Sequence, residues 1–326
     1  MASAAAAAVM LAGCAAGGGT DGVDAGSIAE IAETADPTAP EVDRIQGAVW
    51  QGAISAQWFL GSPTAEGYGV ELASDWMTDA TVGRAQLVAG EIGIVPGSSV
   101  GAVQLAQSGV DALIVAGNYE SEEGRQVVYA MPDSGIETVA DLEGATLGAT
   151  SITGSWPNRI RLAITEEGGD PSSLSLVATT YGDMAEQLQS GTVDAVIAAS
   201  FALPAVQATG AEPIFDVGGG EYAGRPENVW LTTREFHEAN PNAIAAFQCA
   251  MVAGARLANE RPEMERYMAD TLGWDDGLIA SSPSPISIDA PLDVAAVQAD
   301  WDDEVAVSGA PEFDVGSLVI PMPAEC

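Results

Sequence analysis

The sequence predicts an α/β protein of two lobes, each a mostly parallel sheet flanked by helices. Three observations carry that expectation. First, a helix–Gly–strand–loop–helix–strand unit occurs twice, about a hundred residues apart. Gln86-Leu87-Val88-Ala89-Gly90-Glu91-Ile92-Gly93-Ile94-Val95 echoes Gln187-Leu188-Gln189-Ser190-Gly191-Thr192-Val193-Asp194-Ala195-Val196. Second, apolar strands alternate with helices at glycine-punctuated joints, the pattern of parallel sheets covered by helices. Third, 47% of residues are hydrophobic and the mean hydropathy is +0.16, enough for a large core in 326 residues. Two copies argue for two lobes; the period is too long and the copies too few for a solenoid.

The first strand is Arg44 to Val49, with its turn at Trp50-Gln51-Gly52. The helix ending at Ala89 is stopped by Gly90 as a C-cap, and a short strand follows to Val95. Pro96 to Ser99 leads into the helix Ala102-Val103-Gln104 up to Gly109, then the strand Ala112 to Ala116. The second lobe begins after Met131, and its first strand is Ala145 to Ala149. The loop Thr150 to Trp156 feeds a helix from Pro157 to Glu167, with proline in its first turn and Gly168-Gly169 at its end. Asp183 reads as the N-cap of the next helix. After Gly191 come a strand to Val196, the loop Ser200 to Leu203, a helix around Ala205-Val206-Gln207 and the strand Pro213 to Phe215. Ile244, Phe247, Met251, Ala255 and Ala258 form a 3.6-period apolar face packing on lobe one. The acid-rich stretch Asp289 to Asp303 reads as another lobe-one helix.

Charge narrows the partners. There are 10 Lys+Arg, all Arg, against 47 Asp+Glu, for a net −37. Such a field repels phosphate backbones and anionic headgroups, so nucleic acid and a polybasic membrane patch are excluded. The acidity suits an ordinary soluble shell or, more specifically, a saline or external medium.

The N-terminus suggests export. Residues 4 to 13 are small and apolar and stop at Cys14. A run this short cannot cross a bilayer core of ~30 Å, which needs about 20 residues, but it suits a signal-peptide apolar region. Leu11-Ala12-Gly13-Cys14 resembles a bacterial lipobox, in which the cysteine is lipidated, although no Arg or Lys precedes the run. Residues 15–41, rich in Ala, Gly, Thr and Asp, read as a flexible tether. With Cys14 lipidated, Cys249 and Cys326 remain as a pair able to form a disulfide, the alternative being a buried free thiol. His237 is the sole histidine and no CxxC occurs, so no metal site of the zinc type and no cofactor are expected.

Ligands of open α/β sheets sit at the carboxyl ends of strands, where helix N-termini also point. The candidate ligand-binding residues are therefore Trp50, Gln51, Ser98, Ser99, Thr153, Gly154, Ser155, Trp156, Ser200 and Phe201. Their N–H and hydroxyl groups suit an anion; helix capping is the plainer role for each Ser or Thr. Trp58 reads as core. Arg159 and Arg161 sit one turn into the lobe-two helix; Arg159 could meet an anionic group bidentately, but reads as a surface ion-pair residue. His237 reads as a surface residue at a helix start, and no carboxylate pair is evident in these loops.

Three stretches carry a family resemblance. Ser134-Gly135-Ile136 with Val139-Ala140-Asp141-Leu142-Glu143-Gly144 is the first, Gln187 to Ala195 the second, and Thr233-Arg234-Glu235-Phe236 with Asn240-Pro241 and Ala243 to Phe247 the third. Together they resemble extracytoplasmic solute-binding lipoproteins of ABC importers, in the nitrate, sulfonate and taurine group that also includes thiamine-pyrimidine precursor binders. The resemblance, over roughly residues 42 to 310, implies a type II-like periplasmic-binding-protein fold with two crossover strands as hinge. It places the crossovers near Val127 to Ala130 and Asp216 to Leu231. Residues 1–14 are then the signal peptide, 42–128 and 229–326 lobe one with the C-terminal tail, and 129–228 lobe two. The implied partners are a small-molecule solute and the permease and ATPase subunits, for a monomer held to the outer face of the cell membrane by lipid alone. The fold also hosts pyrimidine synthases and menaquinone-pathway lyases, and a ligand sensor without transport has the same sequence features. No nucleophile–base pair stands in the candidate loops, so a binding protein and not an enzyme is expected. The charge of −37 means that an anion must be caught by local donors against the field, and a neutral or cationic ligand is equally open.

Overall fold

The computed structural model describes residues 25–77, 80–199, 202–281 and 288–326. The chain runs through α1 (Ala25–Thr34), β1 (Arg44–Trp50), α2 (Ala56–Gly67), β2 (Glu71–Met77), α3 (Ala80–Val88), β3 (Val95–Gly97), α4 (Ser99–Gln107) and β4 (Ala112–Glu120). It then crosses to β5 (Gln126–Ala130), β6 (Thr146–Ala149), α5 (Ser155–Glu166), β7 (Ser175–Ala178), α6 (Met184–Gln189), β8 (Ala195–Ala199), α7 (Ala202–Gln207) and β9 (Glu212–Asp216). It returns through β10 (Pro226–Thr233), α8 (Arg234–Ala239), α9 (Pro241–Ala258), α10 (Arg261–Asp270), α11 (Asp276–Ser281) and α12 (Val294–Ser308).

One lobe holds the order β3-β10-β4, to which the parallel pair β1-β2 is joined by a bridge between Gly47 and Ile94. The other holds β7-β6-β8-β5-β9. Strands within βαβ units pair in parallel, β1 with β2 and β6 with β7 and β8. The strands that arrive from the opposite lobe do not. β5 is antiparallel to β8 and β9, and β10 is antiparallel to β3 and β4. Each enters its sheet from the hinge side and so runs against its neighbours.

The echo is visible in the backbone. Gly90 and Gly191 have φ of 70° and 69°, and both copies close with the same bonds: Glu91 N–H to Gln86 O, Thr192 N–H to Gln187 O. These are left-handed C-caps, a conformation costly for a side-chain-bearing residue.

Each lobe has its own core. In the first, Trp58, Trp230 and Phe247 are fully buried, with Trp58 5.4 and 5.5 Å from the other two ring centroids. α2 and α9 cross so closely that a Cβ on Gly254 would lie 2.0 Å from Gln57 O, and one on Gly61 2.2 Å from Ala250 O. The second lobe packs Val128, Leu142, Leu147, Ile160, Ile164 and Ile197 on one face of its sheet. The chain end returns to the first lobe: Ile320 N–H donates to Ile114 O, and Cys249 and Cys326 are joined as a disulfide with Cα atoms 4.9 Å apart.

Two expectations are corrected. The tether expected over 15–41 is folded from Ala25 onward. α1 buries Ile28, and the Glu41 carboxylate accepts the N–H groups of Asn242 and Ala243 at the start of α9. An apolar stripe of Ile28, Ile31 and Ala32 is diluted there by polar neighbours, which hides it in composition. His237 is buried at 1% exposure instead of lying on the surface, and burial lowers its pKa. Asp183 occupies the N-cap position but makes no cap bond; its carboxylate accepts from the Thr180 hydroxyl instead.

Candidate functional site

Helices α4 and α5 begin at the carboxyl ends of β3 and β6, one in each lobe. Ser98 is the N-cap of α4, its Oγ accepting the Gly101 N–H at 3.0 Å. Gly154 caps α5 with φ 102°, a left-handed value that glycine adopts freely. The first residues inside the helices are Ser99 and Ser155, both buried. Their hydroxyls reach one acceptor, Oδ2 of Asp300 on α12, at 3.4 and 3.5 Å. These long contacts are weak, but they tie one carboxylate to both helix starts. α12 also buries Val297 and Trp301 in the first lobe and receives Asn158 Nδ2 from α5 on Glu304 Oε2 at 2.6 Å. It therefore bridges the two lobes.

Arg159 is the centre of the cluster. It sits on the buried face of α5 with Ile160, Ala163 and Ile164 and has no exposed surface. The surface ion pair expected for it is thus corrected: its guanidinium is enclosed and double-paired. Nη1 lies 2.5 Å from Glu227 Oε1 and Nη2 3.1 Å from Asp300 Oδ1. Nη1 also donates to Ser121 Oγ at 2.8 Å and to the Val217 carbonyl at 3.1 Å, both on the crossovers. Burial alone would lower its pKa, but Glu227 and Asp300 outweigh burial and raise it. Outside the candidate loops, Glu227 on β10 and Asp300 on α12 converge on one guanidinium.

A second guanidinium completes the cluster. Arg225 Nη1 contacts Asp303 at 2.7 Å and Asp300 at 3.5 Å. The Tyr222 ring lies between the two arginines, 4.8 Å from Arg159 and 4.9 Å from Arg225, in cation–π range. Burial, with nearby Asp303 and Glu221, pushes the Tyr222 hydroxyl up to about 12. Burial raises Asp300 above the usual carboxylate range despite the pull of Arg159.

Aromatic groups stand beside Glu227. Trp156 Nε1 donates to Glu227 Oε2 at 2.5 Å, and Ser121 Oγ bonds to Oε1. Burial and then the charge of Glu227 raise Tyr119 well above the tyrosine range. Tyr181, hydrogen-bonded to the Thr150 side chain, is raised by burial, with Glu227 adding to it.

The structure thus brings Ser99, Ser155 and Trp156 into one cluster. Ser98 is held in its cap. Trp50 ends β1 packed on the first-lobe core, with its carbonyl accepting Ser55 Oγ, while Gln51 and Thr153 are exposed and make no contact with the cluster. Ser200, Phe201 and Cys14 lie outside the described residues. Glu227, Asp300, Arg225, Tyr222 and Ser121 escaped the sequence reading, because separate segments meet only in the fold. Arg159 carried one signal: among ten cations, it alone lies on the apolar face of its helix. Among the described residues, no group of three or more His, Cys, Asp or Glu could hold a metal ion, and no helix is long and apolar enough to cross a membrane.

The fold has many solved counterparts. The alkanesulfonate-binding protein SsuA from Xanthomonas axonopodis pv. citri, bound to MOPS, superposes with a TM-score of 0.68 at 17% identity, over 86% of this chain and 99% of its own. The periplasmic nitrate-binding protein NrtA from Synechocystis PCC 6803 gives 0.68 at 12% identity, over 86% and 85%. The desulfurization enzyme DSZB gives 0.58 at 16% identity, over 87% and 97%. These likenesses show the two-lobed periplasmic-binding-protein fold. No curated protein matches the sequence. The family model described as NMT1/THI5 like matches residues 85–265, more than half of the chain, and the chain belongs to the NMT1/THI5-like family.

Proposed function

We propose that the protein captures a small solute between its lobes and delivers it to the permease and ATPase subunits of an ABC importer. The observation that carries this reading is the convergence of both lobes on one polar cluster, with Ser99 and Ser155 meeting at Asp300. A capture device needs a site that neither lobe completes alone. The alkanesulfonate- and nitrate-binding neighbours support it, and sulfonate-, nitrate- and pyrimidine-type solutes are the candidates. Lipidation at Cys14 would hold the domain to the outer face of the cell membrane; labelled palmitate incorporation that persists in Cys14→Ser would refute this.

A second reading, catalysis, is favoured by the likeness to the desulfurization enzyme. It lacks support from the cluster: Cys249 and Cys326 are paired, and His237 lies on α8, outside the cluster. The deciding experiment is a thermal-shift screen of solutes with small-angle scattering. A ligand at 100 times its dissociation constant stabilises by ~2.7 kcal/mol. No shift with any solute, together with no lobe closure, would sink the capture reading. Turnover of a bound compound would favour the enzyme.

A further inference from the structure

We propose that Asp300 is a specificity-determining residue: its carboxylate is a built-in anion that pairs with both guanidinium groups of the lobe junction and leaves the cluster net negative, so the cleft selects uncharged or cationic solutes. The inference rests on the solute-capture reading and narrows its substrate class.

The argument begins with the donors. At the lobe junction, the groups that suit an anion are the Arg159 guanidinium, Arg225 and the hydroxyls of Ser99 and Ser155. Nη2 of Arg159 at 3.1 Å and Nη1 of Arg225 at 3.5 Å are directed to Asp300, and the two hydroxyls make long, weak contacts with it at 3.4 and 3.5 Å, while Arg159 Nε is buried without a partner. The other end of Arg159 is held by Glu227, Ser121 and the Val217 carbonyl.

Charge gives the same answer. Two guanidinium groups face three carboxylates, Glu227, Asp300 and Asp303, so the cluster already carries an excess of negative charge. Asp300 and Arg159 have no exposed surface, and water screens them poorly. An incoming sulfonate would meet a like charge. An amine or an uncharged ring would meet the Glu227 carboxylate and the aromatic side chains of Trp156, Tyr119 and Tyr181 around it.

Asp300→Asn keeps the shape of the side chain and removes its charge. The test is calorimetric titration of the full chain and of this variant, with ethanesulfonate and nitrate as anions. Choline and putrescine serve as cations, and an aminopyrimidine as the uncharged probe. The wild type is expected to bind a cationic or uncharged probe and neither anion at 1 mM. The variant is expected to gain at least tenfold in ethanesulfonate affinity. Asp300→Ser serves as the second variant should the asparagine form lose its native circular dichroism. Saturable binding of ethanesulfonate or nitrate by the wild type overturns the proposal on its own, as does a folded variant with no gain. Silence of the wild type toward every probe overturns this inference, while the capture reading stands or falls on the thermal-shift and scattering screen.

Discussion

Replacing Arg159 by methionine tests whether the lobe junction is held by a buried charge cluster. The substitution keeps much of the side-chain volume and removes the guanidinium, leaving Glu227 and Asp300 buried without it. Removing one partner of a buried ion pair costs about 3–5 kcal/mol. Here the lower end applies. Glu227 keeps its bonds from Trp156 and Ser121, and Asp300 keeps Arg225 and two serines. The expected loss at pH 7.5 is therefore ~3 kcal/mol, or a fall in Tm of roughly 4–5 °C for a chain of this size. The pH dependence has a definite sign. Asp300 is already raised above its ordinary value in the folded wild type, and losing Arg159 raises it further. A group whose folded pKa is raised contributes stability below its unfolded value and loses it as pH rises through the folded value. The deficit of the variant is thus largest at neutral pH and shrinks on acidification toward about pH 4. Urea melts at pH 7.5 and pH 5.0, with Arg159→Lys as a charge-conserving control, measure it. A deficit under ~1 kcal/mol at pH 7.5, or one that does not shrink at pH 5.0, would refute the reasoning.

Three further outcomes are expected. Gly254→Ala should destabilise by ~1–3 kcal/mol or more in a urea melt, because its Cβ would meet the Gln57 carbonyl at 2.0 Å and backbone cannot move aside cheaply; Gly67→Ala, with nothing within 4 Å, is the control that should cost nothing. Reduction of Cys249–Cys326, which closes a loop of sequence separation 77, should lower stability by ~2–4 kcal/mol, read as a fall in Tm with dithiothreitol that the Cys249→Ser/Cys326→Ser variant no longer shows. With a net charge of −37, Tm should rise as sodium chloride is taken from 10 mM to 0.5 M, and a flat or falling profile would show that self-repulsion is unimportant.

Much of the scaffold was legible because its signals are local. Gly90 and Gly191 mark matching helix ends, since a left-handed cap is readable in one residue. Trp58 reads as core from its neighbours, and Ser98 as a cap from its place before a helix. Weak signals were those that composition averages away. α1 was hidden in a polar stretch, and β2 and β7, short strands with exposed or half-buried positions, lack a clean alternation. Ser99, Ser155 and Trp156 lie together in the cluster because the loops at strand ends are short and near their helices.

The sequence by itself determined the α/β class, the doubled unit, the acidic composition and the loops at the strand ends. All of these depend on residues within a few positions of one another, or on bulk composition. Only the tertiary structure decided that Arg159 is buried and that Glu227 and Asp300 hold it. Those residues come from α5, β10 and α12, and no spacing along the chain encodes their meeting. An arginine on an apolar helix face is stable there only when carboxylates from other segments arrive to pair it, and that pairing is set by how the two lobes and α12 pack.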